Sequence, residues 1–233
     1  MRRRFLNIEK GVDINNYLTI EALEDGLTAS LSIKACEYCV DGDGNWKALD
    51  AKTVTESINT GHTLSFRCNV ASGDRNGIGT FTVNKNFNLK GNCMSMLFGD
   101  KVKDRYRLSG YAFAFYRSFY NCTTLKSVSA NFLPATTLEA TCYESMFEKC
   151  TNLTSAPELP ATTLSAHCYR YIFYGCKKLN YIKALFTTTP SDEYTRDWVL
   201  GVASTGTFIK SKNATWNVTG TDGIPKGWTV KTE

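Results

Sequence analysis

One stretch of this chain repeats itself at a fixed offset. Leu133-Pro134-Ala135-Thr136-Thr137-Leu138 returns as Leu159-Pro160-Ala161-Thr162-Thr163-Leu164, and Cys142-Tyr143, Phe147, Cys150 and Leu153 return as Cys168-Tyr169, Phe173, Cys176 and Leu179, each 26 residues later. Units of that size cannot bury an apolar face alone and must stack on one another. The spacing therefore predicts a solenoid, and with it an interaction surface in preference to an enclosed enzyme pocket.

The pattern extends beyond these two copies. Phe119, Cys122 and Leu125 stand 28 residues before Phe147, Cys150 and Leu153, with Ala114 in place of the first cysteine, so a third unit begins near Tyr111. Tyr194, Trp198, Val199, Val202 and Phe208 continue the pattern forward as a coarser unit suited to closing an array. Cys93, Met94, Leu97 and Phe98 mark a degenerate leading unit. Within a unit, Cys142, Tyr143, Met146, Phe147 and Cys150 have the spacing of one helical face. Leu153 with Ala156, Leu179 with Ile182 and Leu125 with Val128 then mark a short extended piece, so each coil is expected to be helix, strand and proline turn.

All five prolines lie in the second half of the chain, which separates it from a first half of different character. Leu27, Ala29, Leu31 and Ile33 share one parity, as do Leu64, Phe66 and Cys68, the mark of half-buried strands. Candidate strands are residues 17–23, 27–33, 36–40, 63–68, 78–83 and 87–90, punctuated by turn pairs such as Asp25-Gly26, Asp43-Gly44 and Asn76-Gly77. The predicted fold is α+β: an antiparallel β-sandwich over residues 1–92 with a basic amino-terminal arm, the repeat array over 93–210 with degenerate first and last units, and a carboxy-terminal cap over 211–233.

The net charge of +5 is dispersed over 27 basic and 22 acidic side chains, and only Arg2-Arg3-Arg4 forms a run, too dilute a distribution for a nucleic-acid partner. No apolar run is long enough for membrane insertion. Glu9, Lys10 and Asp13 interrupt the region a secretory signal would occupy, and the first cysteine is Cys36, so the polypeptide is expected to stay in the compartment where it is made. Five of the nine cysteines (Cys122, Cys142, Cys150, Cys168 and Cys176) occupy repeat positions, where small apolar thiols pack well, and reduced thiols are the expectation.

The motif Phe-x-x-Cys-x-x-Leu-x-x-(Ala/Ile/Val), followed by Leu-Pro, resembles the BspA-like leucine-rich repeats of bacterial surface proteins. The closer resemblance is to a group of Bacteroidales and crAss-like Bacteroidales-phage proteins. It is carried by Ile20-Glu21-Ala22-Leu23-Glu24-Asp25, Val40-Asp41-Gly42 with Trp46, Gly77-Ile78-Gly79-Thr80-Phe81, residues 91–100, the Leu-Pro-Ala-Thr-Thr-Leu repeats, residues 201–208 and residues 223–230. The resemblance implies a leucine-rich-repeat array behind a β domain, exposed on a cell or a virion, and it brings no catalytic residue. With no export signal recognised, it implies a phage virion structural protein, a capsid or tail component made in the host cytoplasm and serving assembly or host attachment. The alternative is a bacterial cell-surface or secreted adhesin. Its partners would be other virion proteins and a host-surface protein or glycan, with self-association left open.

Several chemical motifs reduce to structural ones. Cys36-Glu37-Tyr38-Cys39 has zinc-knuckle spacing without a second half. Asp41, Asp43 and Asn45 imitate a calcium loop, but Trp46 and Lys52 occupy its glycine and glutamate positions, which favours a hairpin turn with a packed tryptophan. Only His62 and His167 offer acid–base chemistry near neutral pH, and no nucleophile stands beside an acidic partner. No catalytic, cofactor-binding or metal-binding residue is therefore assigned, and no cofactor is expected. Asn121, Asn152, Asn213 and Asn217 match the glycosylation pattern only through a Thr-rich composition. The remaining signal is at equivalent non-core positions of the repeats, Tyr116, Glu144 and Arg170, then Tyr120, Glu148 and Tyr174. Because exposed Tyr and Arg favour recognition surfaces, Tyr116, Tyr120, Arg170, Tyr171 and Tyr174 form the candidate partner-binding surface.

Overall fold

The computed structural model describes residues 11–32, 35–51 and 53–233. The basic run Arg2-Arg3-Arg4, together with Glu9, Lys10, Ile33 and Lys52, on which parts of the sequence reading rest, lies outside the described residues.

The expected helix-plus-strand solenoid does not form. The described chain is organised as eleven strands in three sheets, and its α-helices are two segments of four residues, α1 (Ser95–Phe98) and α2 (Asp192–Thr195). The strands are β1 (Leu18–Ala22), β2 (Ala29–Leu31), β3 (Cys36–Val40), β4 (Lys47–Leu49), β5 (Thr63–Arg67), β6 (Phe81–Val83), β7 (Phe87–Gly91), β8 (Leu125–Val128), β9 (Tyr181–Ala184), β10 (Thr207–Lys210) and β11 (Thr229–Thr232). Six of them form one sheet in the order β4-β3-β5-β1-β7-β8. Its pairs are antiparallel except the last, where β8 lies parallel to β7, so the sheet of the first half continues directly into the repeats. β2 and β6 make a small separate sheet, and Phe81 on β6 meets Phe66 on β5 edge to face at 5.2 Å. β9, β10 and β11 form a parallel sheet, with Thr207 on β10 opposite Tyr181 on β9, the same 26-residue step seen in the sequence.

Where helices were expected, residues 113–121, 141–149 and 167–175 form three rows of consecutive turns. Every fourth residue is left-handed: Phe113, Arg117 and Asn121 in the first row, Thr141, Ser145 and Lys149 in the second, His167, Tyr171 and Gly175 in the third, with φ between 54° and 72°. Alternate amides close turns inside a row, as Glu144 N–H does on Thr141 O and Met146 N–H on Tyr143 O, both three residues back. The other amides reach across: Thr141, Tyr143, Ser145, Phe147 and Lys149 donate to the carbonyls of Ala166, Cys168, Arg170, Ile172 and Tyr174 at 2.7–3.1 Å. The first row donates to the second in the same fashion, from Phe113 to Ala140 through Asn121 to Glu148.

This arrangement explains why the sequence reads as helical. A four-residue period and a 3.6-residue period share the i, i+4 contact, and they separate only after two turns, when a helix would carry Cys150 about 80° away from Cys142. Here Cys142, Met146 and Cys150 all point inward at 0% exposure. A nine-residue segment is also too short to hold a helix by itself, whereas a neighbouring row at a constant offset supplies carbonyl acceptors for half its amides.

The core is one continuous cluster running from the first half to the carboxy-terminal segment. An aromatic column passes through it, Phe81, Phe119, Phe147 and Phe173 lying nearly parallel with centroids 5.0, 5.9 and 6.0 Å apart. Beside it Cys122, Cys150 and Cys176 direct their thiols to the carbonyls of Phe81, Phe119 and Phe147, at 3.5, 3.1 and 3.1 Å. The first row is closed by the segment around β6, where Ile78 and Phe81 donate to Ala114 O and Ser118 O. Gly77 is required there: its φ is +60°, and a Cβ would stand 2.3 Å from Phe113 O. At the other end Trp198, Trp216 and Trp228 each donate their indole N–H to a carbonyl, of Gly223, Phe186 and Ala203, so the large rings that close the stack leave no buried donor unpaired.

Candidate functional site

The turn rows decide which side chains face out. In each four-residue step the two residues after the left-handed one point inward and the fourth stands on the outer face; the left-handed residue is at least partly exposed in the first and third rows, while Thr141 and Ser145 of the middle row are buried. Tyr143, Phe147, Tyr169 and Phe173 are therefore buried, while Tyr116, Tyr120, Arg170, Tyr171 and Tyr174 lie half-exposed on one common face. The structure thus brings all five candidate surface residues to the same side of the stack.

On that face the cations sit over the phenol rings. Arg117 lies 5.1 Å from the ring centres of both Tyr116 and Tyr120, and Lys149 lies 5.2 Å from the centre of Tyr120 while donating to its hydroxyl at 3.0 Å. In the third row Arg170 covers Tyr171 at 4.9 Å, and Tyr171 meets Tyr174 edge to face at 5.9 Å. Arg170 Nε is shielded from solvent and has no hydrogen-bond partner among the described residues. Reading only the fourth positions misses Arg117 and Lys149. They occupy left-handed positions, a signal hidden until the four-residue period is recognised.

Glu144 stands between the two aromatic groups, in the electrostatic range of Arg170, His167 and Arg117. Burial pushes its carboxyl above the ordinary value, and its neighbours, Arg170 foremost, pull it back without cancelling the effect. The face consequently carries a partly shielded carboxyl among guanidinium groups and phenols, a mixture suited to hydrogen bonding and stacking with a partner.

The other motifs are structural. Cys36 and Cys39 are both buried on β3, with Cys36 in the electrostatic range of Cys68 and Cys39 held by the amides of Gly42 and Gly44, and burial raises both thiols, Cys36 to about 12. All nine cysteines are buried and unbridged. Asp41 accepts from His62 Nδ1 at 2.5 Å and from Thr63 N–H at 2.8 Å, and Asp43 accepts from Asn45 N–H at 2.9 Å. Their segment is the β3–β4 hairpin, and Trp46 packs on Tyr17 at 5.0 Å beneath the Arg67 guanidinium at 4.1 Å. His167 donates its backbone amide to Glu193 O and continues the row. Among the described residues no group of three His, Cys, Asp or Glu side chains is placed to hold a metal ion, and no helix is long and apolar enough to cross a membrane.

Comparison of the chain with family models, curated proteins and solved structures returns no match in any of the three.

Proposed function

We propose that this chain is a non-enzymatic structural protein of a phage particle, a capsid or tail component, which binds a protein partner through the outer face of its turn rows. The partner is another particle protein or a protein of the host surface. The observation that carries the recognition half of this reading is the gathering of Tyr116, Tyr120, Arg170, Tyr171 and Tyr174 on one face. Rows tied to each other by backbone hydrogen bonds hold those rings in place before a partner arrives, which lowers the ordering cost of binding. The particle half rests on the sequence resemblance.

Mass spectrometry of purified phage particles and of host envelope fractions from one culture tests the location, and stoichiometric presence in particles is the expected result. Enrichment in envelopes and absence from particles would overturn it in favour of a bacterial surface adhesin. The face itself is tested by incorporating Tyr120→Ala, Arg170→Ala and Tyr174→Ala together. A drop of at least tenfold in partner binding or particle incorporation is expected, and unchanged incorporation and adsorption would reject the face.

A further inference from the structure

A second site lies away from the turn rows, where β7, the end of β8 and the two Leu-Pro loops converge. They enclose a cleft of about 700 Å³, within the range of small-molecule sites, roughly 300–1,000 Å³. Its walls come from backbone that is already tied down. The Tyr106 carbonyl accepts from Thr136 N–H at 2.9 Å, Thr137 N–H at 3.2 Å and Thr136 Oγ1 at 3.3 Å, and Glu158 N–H donates to Ala130 O at 2.9 Å.

The side chains in the cleft divide by charge. Its two charged residues are already compensated, Lys90 by Glu21 and Glu158 by Lys183 at 3.0 Å. The uncommitted groups are neutral. The exposed Asn131 carboxamide makes no hydrogen bond among the described residues, whereas Ser129 Oγ, also without a partner among them, is sealed from solvent and out of a ligand's reach. Tyr106 is fixed through its main chain, is 48% exposed as a residue, and lines the cleft. An exposed tyrosine, an uncommitted amide and compensated charges form a surface for a ligand with an apolar face and many neutral hydroxyls.

We propose that this cleft binds a neutral oligosaccharide, with the Tyr106 ring stacked on a sugar face and the Asn131 carboxamide hydrogen-bonded to its hydroxyls. The compensated charges argue against phosphate or uronic-acid ligands, for which a free cation would be needed. This goes beyond the proposed function, because the cleft is separate from the turn-row face and its test needs no particle.

Affinity electrophoresis of the whole chain through gels containing starch, a yeast mannan, a β-1,3-glucan or a galactan, with polygalacturonate and heparin as acidic comparators, supplies the test. At least one neutral polymer is expected to retard the protein. Tyr106→Ala and Asn131→Ala should each weaken that retardation tenfold or more, and Tyr120→Ala should leave it unchanged. Both substituted side chains are exposed, so melting temperatures should stay at the wild-type value. Absence of retardation by every neutral polymer, retardation by the acidic polymers alone, or retardation insensitive to both cleft variants would overturn the proposal. A chain found in particles that ignores all these polymers would fail here while leaving the particle assignment intact. Neutral-polymer binding by a chain absent from particles would do the opposite.

Discussion

Gly175→Ala separates the turn-row backbone from a helical one by the sign of its effect. Gly175 ends the third row at φ +72°, the position held by Asn121 and Lys149 in the rows before it. A Cβ there would stand 3.5 Å from Lys149 Cγ, an ordinary contact, so the substitution reports backbone conformation with little steric contribution. An L side chain in the left-handed region costs about 1–2 kcal/mol, and the stiffer unfolded chain returns about 0.4–1 kcal/mol. The net expectation is a loss of about 1 kcal/mol. In a helix interior the same change would add about 1 kcal/mol, leaving a gap of about 2 kcal/mol between the two backbones. Urea unfolding followed by far-ultraviolet circular dichroism resolves a difference of that size, provided the slope of the transition is unchanged. In a thermal scan the loss corresponds to about 2–4 °C for a chain of this length. A Gly175→Ala variant more stable than its parent would refute the left-handed row.

Three further outcomes follow from the core and its charges. Phe147→Ala removes a ring at 0% exposure from the middle of the aromatic column; a loss of about 3–5 kcal/mol is expected, and a loss below about 1 kcal/mol in urea unfolding would mean the column is not packed as described. Burial raises the thiols of the repeats, with Cys122 and Cys168 pushed up to about 12, so Ellman's reagent at pH 8 should find essentially none of the nine cysteines in the native protein and all nine after unfolding without reductant. Rapid native labelling of a repeat cysteine would contradict that core register. For Glu144 the folded carboxyl titrates above the unfolded one, chiefly through burial, so its contribution is complete below the unfolded value and is lost as pH rises through the folded value. Glu144→Gln should therefore gain stability relative to wild type between pH 4 and pH 7; a variant that loses ground over that interval would show that the neighbouring cations dominate instead.

Much of the first half was readable because strands announce themselves by parity. Residues 36–40 were read as β3 and appear as Cys36–Val40, and residues 63–68 became Thr63–Arg67. β4 was missed because Lys47-Ala48-Leu49 is three residues long, exposed at its first two positions and supported only by pairing to β3. The repeat period was correct and its local conformation was not. Nine-residue rows hold too few turns to tell a period of four from 3.6, and Phe113, Arg117, Thr141, Ser145, Lys149 and Tyr171 adopt a left-handed conformation that their residue types do not advertise. In these rows only Gly175, Asn121 and His167 carry the usual signal. The common face of Tyr116, Tyr120, Arg170, Tyr171 and Tyr174 was legible because outward positions repeat at the same offset under either conformation. The cleft at Tyr106 was not, since it joins Lys90 on β7, Ser129 and Asn131 after β8, and Glu158 from a later loop, which only the tertiary packing brings together.

The two near-identical rows also act as an internal comparison between packing and recognition. Cys142 and Cys168, Tyr143 and Tyr169, Phe147 and Phe173, and Cys150 and Cys176 match pairwise and are all at most 1% exposed. Stacking identical rings at 6.0–6.1 Å fixes that identity, because a change in one row would leave a void or a clash against the next. Their outward neighbours share no such constraint: Glu144 faces Arg170, Glu148 faces Tyr174 and Lys149 faces Gly175. Backbone hydrogen bonds that join the rows run through every one of those positions regardless of side chain. The architecture therefore permits the fourth residue of each step to be exchanged with little effect on the fold, and it holds whatever that residue presents at a fixed spacing. That property suits a recognition face, and it predicts that alanine at Tyr120 or Tyr174 changes binding far more than it changes stability.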